Sequence, residues 1–370
     1  MSATLGVAVV GAGYWGPNLA RNFACHPSTS LRWVCDLDRD RAAALASQYA
    51  TRATDCLDDI LDDPEVGAVA VATPAATHTA VVLAALEAGK HVLVEKPLAS
   101  SVADGEKLVQ AAEDRGLVLM CDHTYCYTPA VRRIRLLVEQ GALGDIHYVD
   151  SVRINLGLVQ PDVDVFWDLA PHDLSILDFV LGDRNTPISV AASAADPIGA
   201  GVNCVGYLSM PLTQGAIAHA HVNWLSPTKI RTTIVGGSKR TVVWDDLHPY
   251  ARLAVHDRGV DLGAPTGISR RDRLVSYRSG DMVAPALPEG EALREVVTEL
   301  CDAIRERRPA ATDGRAGLRV LRILEAAGRS LDADGRSTTL AVPDTVVDLT
   351  DIPLMRSPLM RPADERSFAL

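Results

Sequence analysis

The sequence predicts an α/β chain: a doubly wound parallel sheet in the first third, then a second α/β domain built on an open, mostly antiparallel sheet. Three observations carry this expectation. Strand-length apolar runs alternate with Ala-rich helical segments as far as Cys121, a glycine-rich turn follows the first run, and after about residue 145 the rhythm changes to successive strand-like runs separated by turn residues.

The first-third runs are Leu5 to Val10, Leu31 to Cys35, Val66 to Ala72, His91 to Val94 and Leu117 to Cys121. They are continuously apolar instead of alternating, as strands covered on both faces are, and the helical segments between them imply right-handed crossovers. Further on, Pro171 to Leu181 is expected to be a helix with Pro171 in its first turn, ending near Gly182. Strand-like runs continue to about residue 280. From 290 to 331 helical periodicity returns, with Leu293, Val296, Val297, Leu300 and Ile304 on one face and a break at Pro309. The Pro-rich tail after Pro343 reads as loosely structured.

Composition narrows the function. The chain has 370 residues, 48% hydrophobic and 22% charged, with Lys+Arg 36 against Asp+Glu 47 and a net charge of −11. That leaves no basic excess for neutralising phosphates, so nucleic acid and anionic membranes are not expected partners. The seven cysteines are scattered and form no C-x-x-C pair, which argues against a disulfide framework or a thiolate zinc site and for a cytoplasmic setting. The start MSATLGVAVV lacks a basic region before its apolar stretch, and Val66 to Leu86 is interrupted by Pro74 and His78. Neither a signal peptide nor a membrane span is expected.

The glycine turn is Gly11-Ala12-Gly13-Tyr14-Trp15-Gly16. Standing after a strand and opening a helix, it has the context of a dinucleotide cradle. Gly11 allows the tight turn, Gly13 lets backbone touch a pyrophosphate, Gly16 permits close helix–strand packing, and the helix N-terminus supplies N–H donors. Asp36, at the end of the second strand and twenty residues beyond Gly16, meets the adenosine ribose and repels a 2′-phosphate. NAD is therefore expected over NADP, with Arg39 as the residue that would relax the choice.

Thr73-Pro74 with His78 follow the next readable strand, Glu95-Lys96-Pro97 close the one after, and Trp167-Asp168-Leu169-Ala170-Pro171-His172 comes later. With the glycine fingerprint, this ordered set resembles the glucose-fructose oxidoreductase/inositol dehydrogenase (Gfo/Idh/MocA) family from about residue 5 to residue 331. Within it, Arg153-Ile154-Asn155-Leu156-Gly157 followed by Trp167 to Asp173 is most similar to members acting on nucleotide-linked sugars. Ala75 stands where the family often has asparagine. The resemblance implies a Rossmann domain over residues 1–124 and a substrate-binding and oligomerisation domain over residues 125–370. Cofactor contacts are expected from the Gly11 to Gly16 turn, Asp36, Thr73, Pro74, His78, Glu95, Lys96 and Trp167.

Lys96, at the carboxyl end of a parallel strand, is expected to donate to the reacting oxygen and His172 to act as general base, and the resemblance implies that Asp168 orients the imidazole or the substrate hydroxyl. The i, i+4 spacing of Asp168 and His172 puts both on one side of a helix, whose N-terminus is expected to keep His172 neutral. His123, Tyr125 and Asn155 are further substrate contacts, with Tyr14, Trp15 and Trp167 as stacking surfaces. His219, His221 and Asn223 share one strand face with no third ligand at a telling spacing, so no metal is expected. The resemblance implies instead that a second subunit covers that face, since members of the family form dimers and tetramers through this sheet, so a homodimer or homotetramer is expected.

The expected activity is hydride transfer between NAD and a secondary alcohol or ketone of a sugar, first a nucleotide-activated hexose at ring carbon 3. Arginine-heavy, lysine-poor usage points to a high-GC genome and to antibiotic or surface-sugar pathways. An aminoglycoside or aminocyclitol hydroxyl and a free inositol are the alternatives. A catalytically silent NAD-binding sensor is the alternative of another class.

Overall fold

The computed structural model describes residues 4–161, 163–262 and 275–340. The tail expected to be loose after Pro343 lies outside them, as does part of the stretch read as strand-like before residue 280. The first half runs β1 (Leu5–Val10), α1 (Gly16–Cys25), β2 (Thr29–Cys35), α2 (Arg39–Ser47), β3 (Arg52–Thr54), α3 (Asp58–Leu61), β4 (Ala68–Val71), α4 (Ala75–Glu87), β5 (His91–Glu95), α5 (Val102–Asp114) and β6 (Leu119–Asp122). Its six strands are all parallel in the order β3-β2-β1-β4-β5-β6.

The strand order reverses between β1 and β4, so the crevice outside their carboxyl ends is where such a sheet takes a ligand. Alternate residues explain the unbroken apolar runs: Val7 and Val9 of β1 belong to one buried cluster, Ala8 and Val10 to another. The unanticipated β3 is a three-residue edge strand, too short to leave an apolar run, and α3 is a single turn.

The second half continues α6 (Pro129–Glu139), β7 (Ile146–Leu156), α7 (Val165–Leu181), β8 (Ser189–Ala195), β9 (Val205–Pro211), β10 (Ile217–Asn223), β11 (Leu225–Gly237), β12 (Thr241–Asp245), β13 (Leu253–Leu262), β14 (Val275–Val283), α8 (Ala292–Glu306), α9 (Gly314–Asp332) and β15 (Thr338–Thr339). The sheet order is β14-β13-β12-β11-β7-β10-β9-β8-β15. Every pair is antiparallel except β7 with β10.

Helix α7 covers one face of this sheet, where Val149, Ser151, Arg153, Ala218, Ala220, Val222, Val235 and Trp244 are buried. The other face presents Val152, Ile154, Ile217, His219, His221, Ile230 and Ile234, all half-buried or exposed. Helix α9 packs against α5 and β6 as well as α7 and β8. Its Leu318 and Leu321 join the cluster under the first sheet.

Pro171 lies in the seventh position of α7, not in its first turn, because Asp164 caps the helix further upstream by accepting from the amides of Phe166 and Trp167, both at 3.0 Å. A proline there supplies no N–H to the carbonyl four residues back and crowds it. The neighbouring Asp168 carbonyl finds its partner in another element altogether.

Candidate active site

The glycine turn is fixed from β2. Asp36 Oδ2 accepts from the Ala12 amide at 2.7 Å and its Oδ1 from the Asp38 amide at 2.9 Å, so the carboxylate holds the turn and keeps lone pairs for hydroxyl donors. Gly11 has φ +99°, and a Cβ there would lie 2.5 Å from the Ala72 carbonyl. At Gly16 the added carbon would meet Gly11 O. Gly13 differs: a Cβ would meet nothing within 4 Å, so its bareness serves no contact inside the described chain and suits close approach of a ligand. Tyr14 and Leu37 flank the cradle at 93% and 95% exposure. These residues fit a dinucleotide. The guanidinium approaching Asp36 is that of Arg41, 3.7 Å from Oδ1, while Arg39 lies exposed.

His78 is buried, and its ring nitrogens lie 2.8 Å from Pro97 O and 2.9 Å from Thr73 O, bracing the Thr73-Pro74 turn against the Lys96-Pro97 turn. Burial pulls its pKa down. Trp15 Nε1 donates to Asp122 Oδ2 at 3.0 Å, and the Thr124 hydroxyl to Asp122 Oδ1 at 2.7 Å. Asp122 is the register neighbour of Glu95. Burial first, and the Asp122 charge second, push the Glu95 carboxyl well above the usual carboxylate range. Glu95 Oε2 accepts from the Lys96 amide at 3.1 Å, and Oε1 is buried without a partner.

Lys96 reaches across to α7. Its Nζ donates to the Asp168 carbonyl at 2.9 Å and to Asp168 Oδ1 at 3.3 Å, and Trp224 Nε1 donates to Asp168 Oδ2 at 3.0 Å. Both Asp168 oxygens are therefore committed, one to the ammonium and one to an indole, and neither accepts a hydrogen bond from the His172 ring. His172 is half-buried, with Nδ1 shut off from solvent and unpartnered. Its pKa lies well below the usual value because of burial first, then the charges of Lys96 and Arg153. The helix N-terminus expected to do this is two turns away, so desolvation takes its place as the cause.

His123 is buried with both ring nitrogens unpartnered, and burial, with Lys96 second, pulls its pKa down to about 3. The Tyr125 ring stands 5.1 Å from the His172 ring, edge to face, and the Arg153 guanidinium lies 4.4 Å over it. Arg153 is itself clamped in two hydrogen bonds by Asp173, at 2.7 and 3.2 Å, and Ser151 Oγ donates to the same carboxylate. Breaking so buried a pair by removing one partner costs about 3–5 kcal/mol, so Tyr125 rests on a fixed support. Asn155 extends the same strand face beyond Arg153, and its side-chain amide approaches Gly157. Trp167 is half-buried against both hydrophobic clusters.

Asp122, Trp224, Asp173 and Arg231 carry site contacts that sequence reasoning gave no role. Asp173 and Trp224 bordered motifs already singled out, and Asp122 is an acid ending a buried strand. Among the described residues no group of three His, Cys, Asp or Glu could hold a metal, and no helix is long and apolar enough to cross a membrane.

Residues 5–123 match the model of an oxidoreductase family with an NAD-binding Rossmann fold, and residues 131–243 match the GFO/IDH/MocA C-terminal domain. The UDP-N-acetylglucosamine 3-dehydrogenase of Acidithiobacillus ferrooxidans is 29% identical over 316 residues, covering 85% of this chain and 93% of its own. Its solved structure superposes with TM-score 0.76 at 25% identity, over 90% and 99% of the two chains. GenD2 from gentamicin A biosynthesis, solved with NAD, gives TM-score 0.76 at 29% identity over 92% and 98%. The dTDP-3,4-didehydro-2,6-dideoxy-alpha-D-glucose 3-reductase of Streptomyces violaceoruber is 37% identical over 173 residues, 44% of this chain and 50% of its own.

Proposed function

Because this chain belongs to the Gfo/Idh/MocA family of oxidoreductases with an NAD-binding Rossmann fold, we propose that it moves a hydride between NAD and ring carbon 3 of a nucleotide-linked hexose. The observation that carries the chemistry is Lys96, held by Asp168, close enough for its charge to act on a neutral His172. When bound, the nicotinamide supplies the two-electron acceptor. In the oxidative direction the C3–H bond breaks with its electron pair leaving as hydride, and the C3 hydroxyl proton passes to the free imidazole of His172. Lys96 donates a hydrogen bond to the same oxygen as it becomes a carbonyl. Asp168 and Trp224 keep the ammonium aimed, and Tyr125, pinned by Arg153, packs edge to face against the imidazole. In reduction His172 returns the proton.

Carbon 3 and a nucleotide handle are supported by similarity to the UDP-N-acetylglucosamine 3-dehydrogenase and the dTDP-sugar 3-reductase. An aminoglycoside hydroxyl is the second reading, favoured by the likeness to GenD2, and antibiotic or surface-sugar biosynthesis is the setting both share. In this reading residues 1–124 hold the cofactor, with the Asp36 carboxylate selecting NAD over NADP, and the chain from residue 125 holds the sugar. The half-exposed sheet face, with Ile217 51% exposed and Val152, Ile154 and Ile234 beside it, receives a second copy of the chain. Seven free thiols suit a reducing, cytoplasmic compartment.

The test is absorbance at 340 nm with NAD or NADP and a panel of UDP- and dTDP-hexoses, aminoglycosides and inositols. A rise with NAD and a sugar nucleotide is expected. A rise only with an aminoglycoside transfers the activity to the second reading, and cofactor binding with no change for any sugar leaves the silent sensor.

A further inference from the structure

We propose that Arg231, on β11, is the receptor for an anionic substituent of the substrate, the diphosphate of a sugar nucleotide or the carboxylate of a sugar acid. The proposal rests on the sugar-oxidoreductase reading above and deepens it by assigning the charge of the substrate.

Three cations surround His172 and Tyr125, and two of them are each held by an aspartate through two hydrogen bonds. Lys96 is held by the carbonyl and carboxylate of Asp168. Arg153 is buried and clamped by Asp173. Arg231 is the register neighbour of Arg153, and its guanidinium stands 5.7 Å from the Tyr125 ring, so it lies one aromatic ring away from His172. Its side chain is 30% exposed, and its ionic partner among the described residues is Asp246, a single contact at 3.4 Å. A guanidinium carries five donors in a planar fork shaped for phosphate or carboxylate oxygens. Most of this fork therefore faces no partner among the described residues.

The placement suits the chemistry. A diphosphate leaves a hexose at carbon 1, two ring atoms from carbon 3, so an anion receptor is wanted beside the reacting centre and not on it. A polycationic aminoglycoside would instead meet a positive charge there. An oxidised carbon bearing partial negative charge on its oxygen also gains from the same positive field.

The experiment uses the protein saturated with NADH, which closes the dinucleotide site to competing nucleotides. It is titrated with UDP, dTDP, uridine and glucuronate, on wild type, Arg231→Gln, Arg231→Lys and Asp246→Asn. The expected result is that UDP or dTDP, or glucuronate, binds wild type and weakens tenfold or more in Arg231→Gln. Arg231→Lys should recover part of the loss, and Asp246→Asn should tighten binding several-fold by removing the competing carboxylate. NADH affinity in each variant reports that the fold is intact. Affinities for all three anions that are unmoved by Arg231→Gln, or the absence of anion binding to wild type, overturn the proposal. Arg231-dependent anion binding without any change at 340 nm for a sugar nucleotide or sugar acid upholds the receptor and rejects the hydride-transfer reading.

Discussion

His123 offers a sharp physical test, because its ring is buried beside Lys96 with neither nitrogen hydrogen-bonded. Its pKa is about 3 in the folded chain and about 6.5 once unfolded. Between those values the unfolded chain binds the proton and the folded chain does not, so stability falls as pH drops through this window. From pH 7.5 to pH 5 this one residue removes about 2 kcal/mol of stability.

His123→Leu, similar in volume, deletes that contribution and also the two unsatisfied nitrogens, whose burial costs on the order of 1 kcal/mol. Urea unfolding of the cofactor-free protein at both pH values is the assay. The variant should be at least as stable as wild type at pH 7.5 and should lose about 2 kcal/mol less on going to pH 5. His172 titrates in the same direction in both proteins and cancels from the difference. Turnover should fall even as stability rises, since a polar group left unsatisfied in the core is kept for a ligand. Equal losses in the two proteins between pH 7.5 and pH 5 would refute the argument that His123 is held neutral by burial.

Three further outcomes follow from the site. Gly13→Ala places its new carbon in open space, so thermal stability should be nearly unchanged while NADH affinity, read by fluorescence, falls tenfold or more; unchanged affinity would remove Gly13 from the cradle. Asp36→Ser should erode the preference for NAD over NADP, read as the ratio of their kcat/KM values, and an unchanged ratio would sink the ribose assignment. Lys96→Met should lower kcat by about 10² to 10⁴ with NADH affinity retained, as expected for a positioned proton donor. A kcat within a few-fold of wild type would place the chemistry elsewhere.

What the sequence made legible was local. The fingerprint from Gly11 to Gly16 and the strands β1, β2, β4, β5 and β6 could be read because turn chemistry and continuous apolar runs lie within a few residues of each other. The start of α7 was misplaced because Pro171 is a strong local signal for a first turn, whereas the true cap, Asp164, sits in a stretch without periodicity. The wiring of the site was not legible. Lys96 meets Asp168 across 72 residues, Trp224 meets Asp168 across 56 and Trp15 meets Asp122 across 107. No spacing rule encodes such pairs. They arise because Trp15, Lys96 and Asp122 stand at the carboxyl ends of β1, β5 and β6, while Asp168 and Trp224 come from α7 and from the junction of β10 and β11, which pack on each other in the second half.

In the proposed reaction, carbon 3 of a nucleotide-linked hexose gives up its hydrogen as hydride while His172 takes only a proton. UDP-N-acetylglucosamine carrying deuterium at carbon 3, turned over with NAD in ordinary water, tests it directly by mass and proton NMR of the recovered reduced cofactor. The expected result is one deuterium on carbon 4 of the nicotinamide and a 3-keto sugar in equal amount. Reduced cofactor without deuterium, or no reduced cofactor at all, would contradict the assignment.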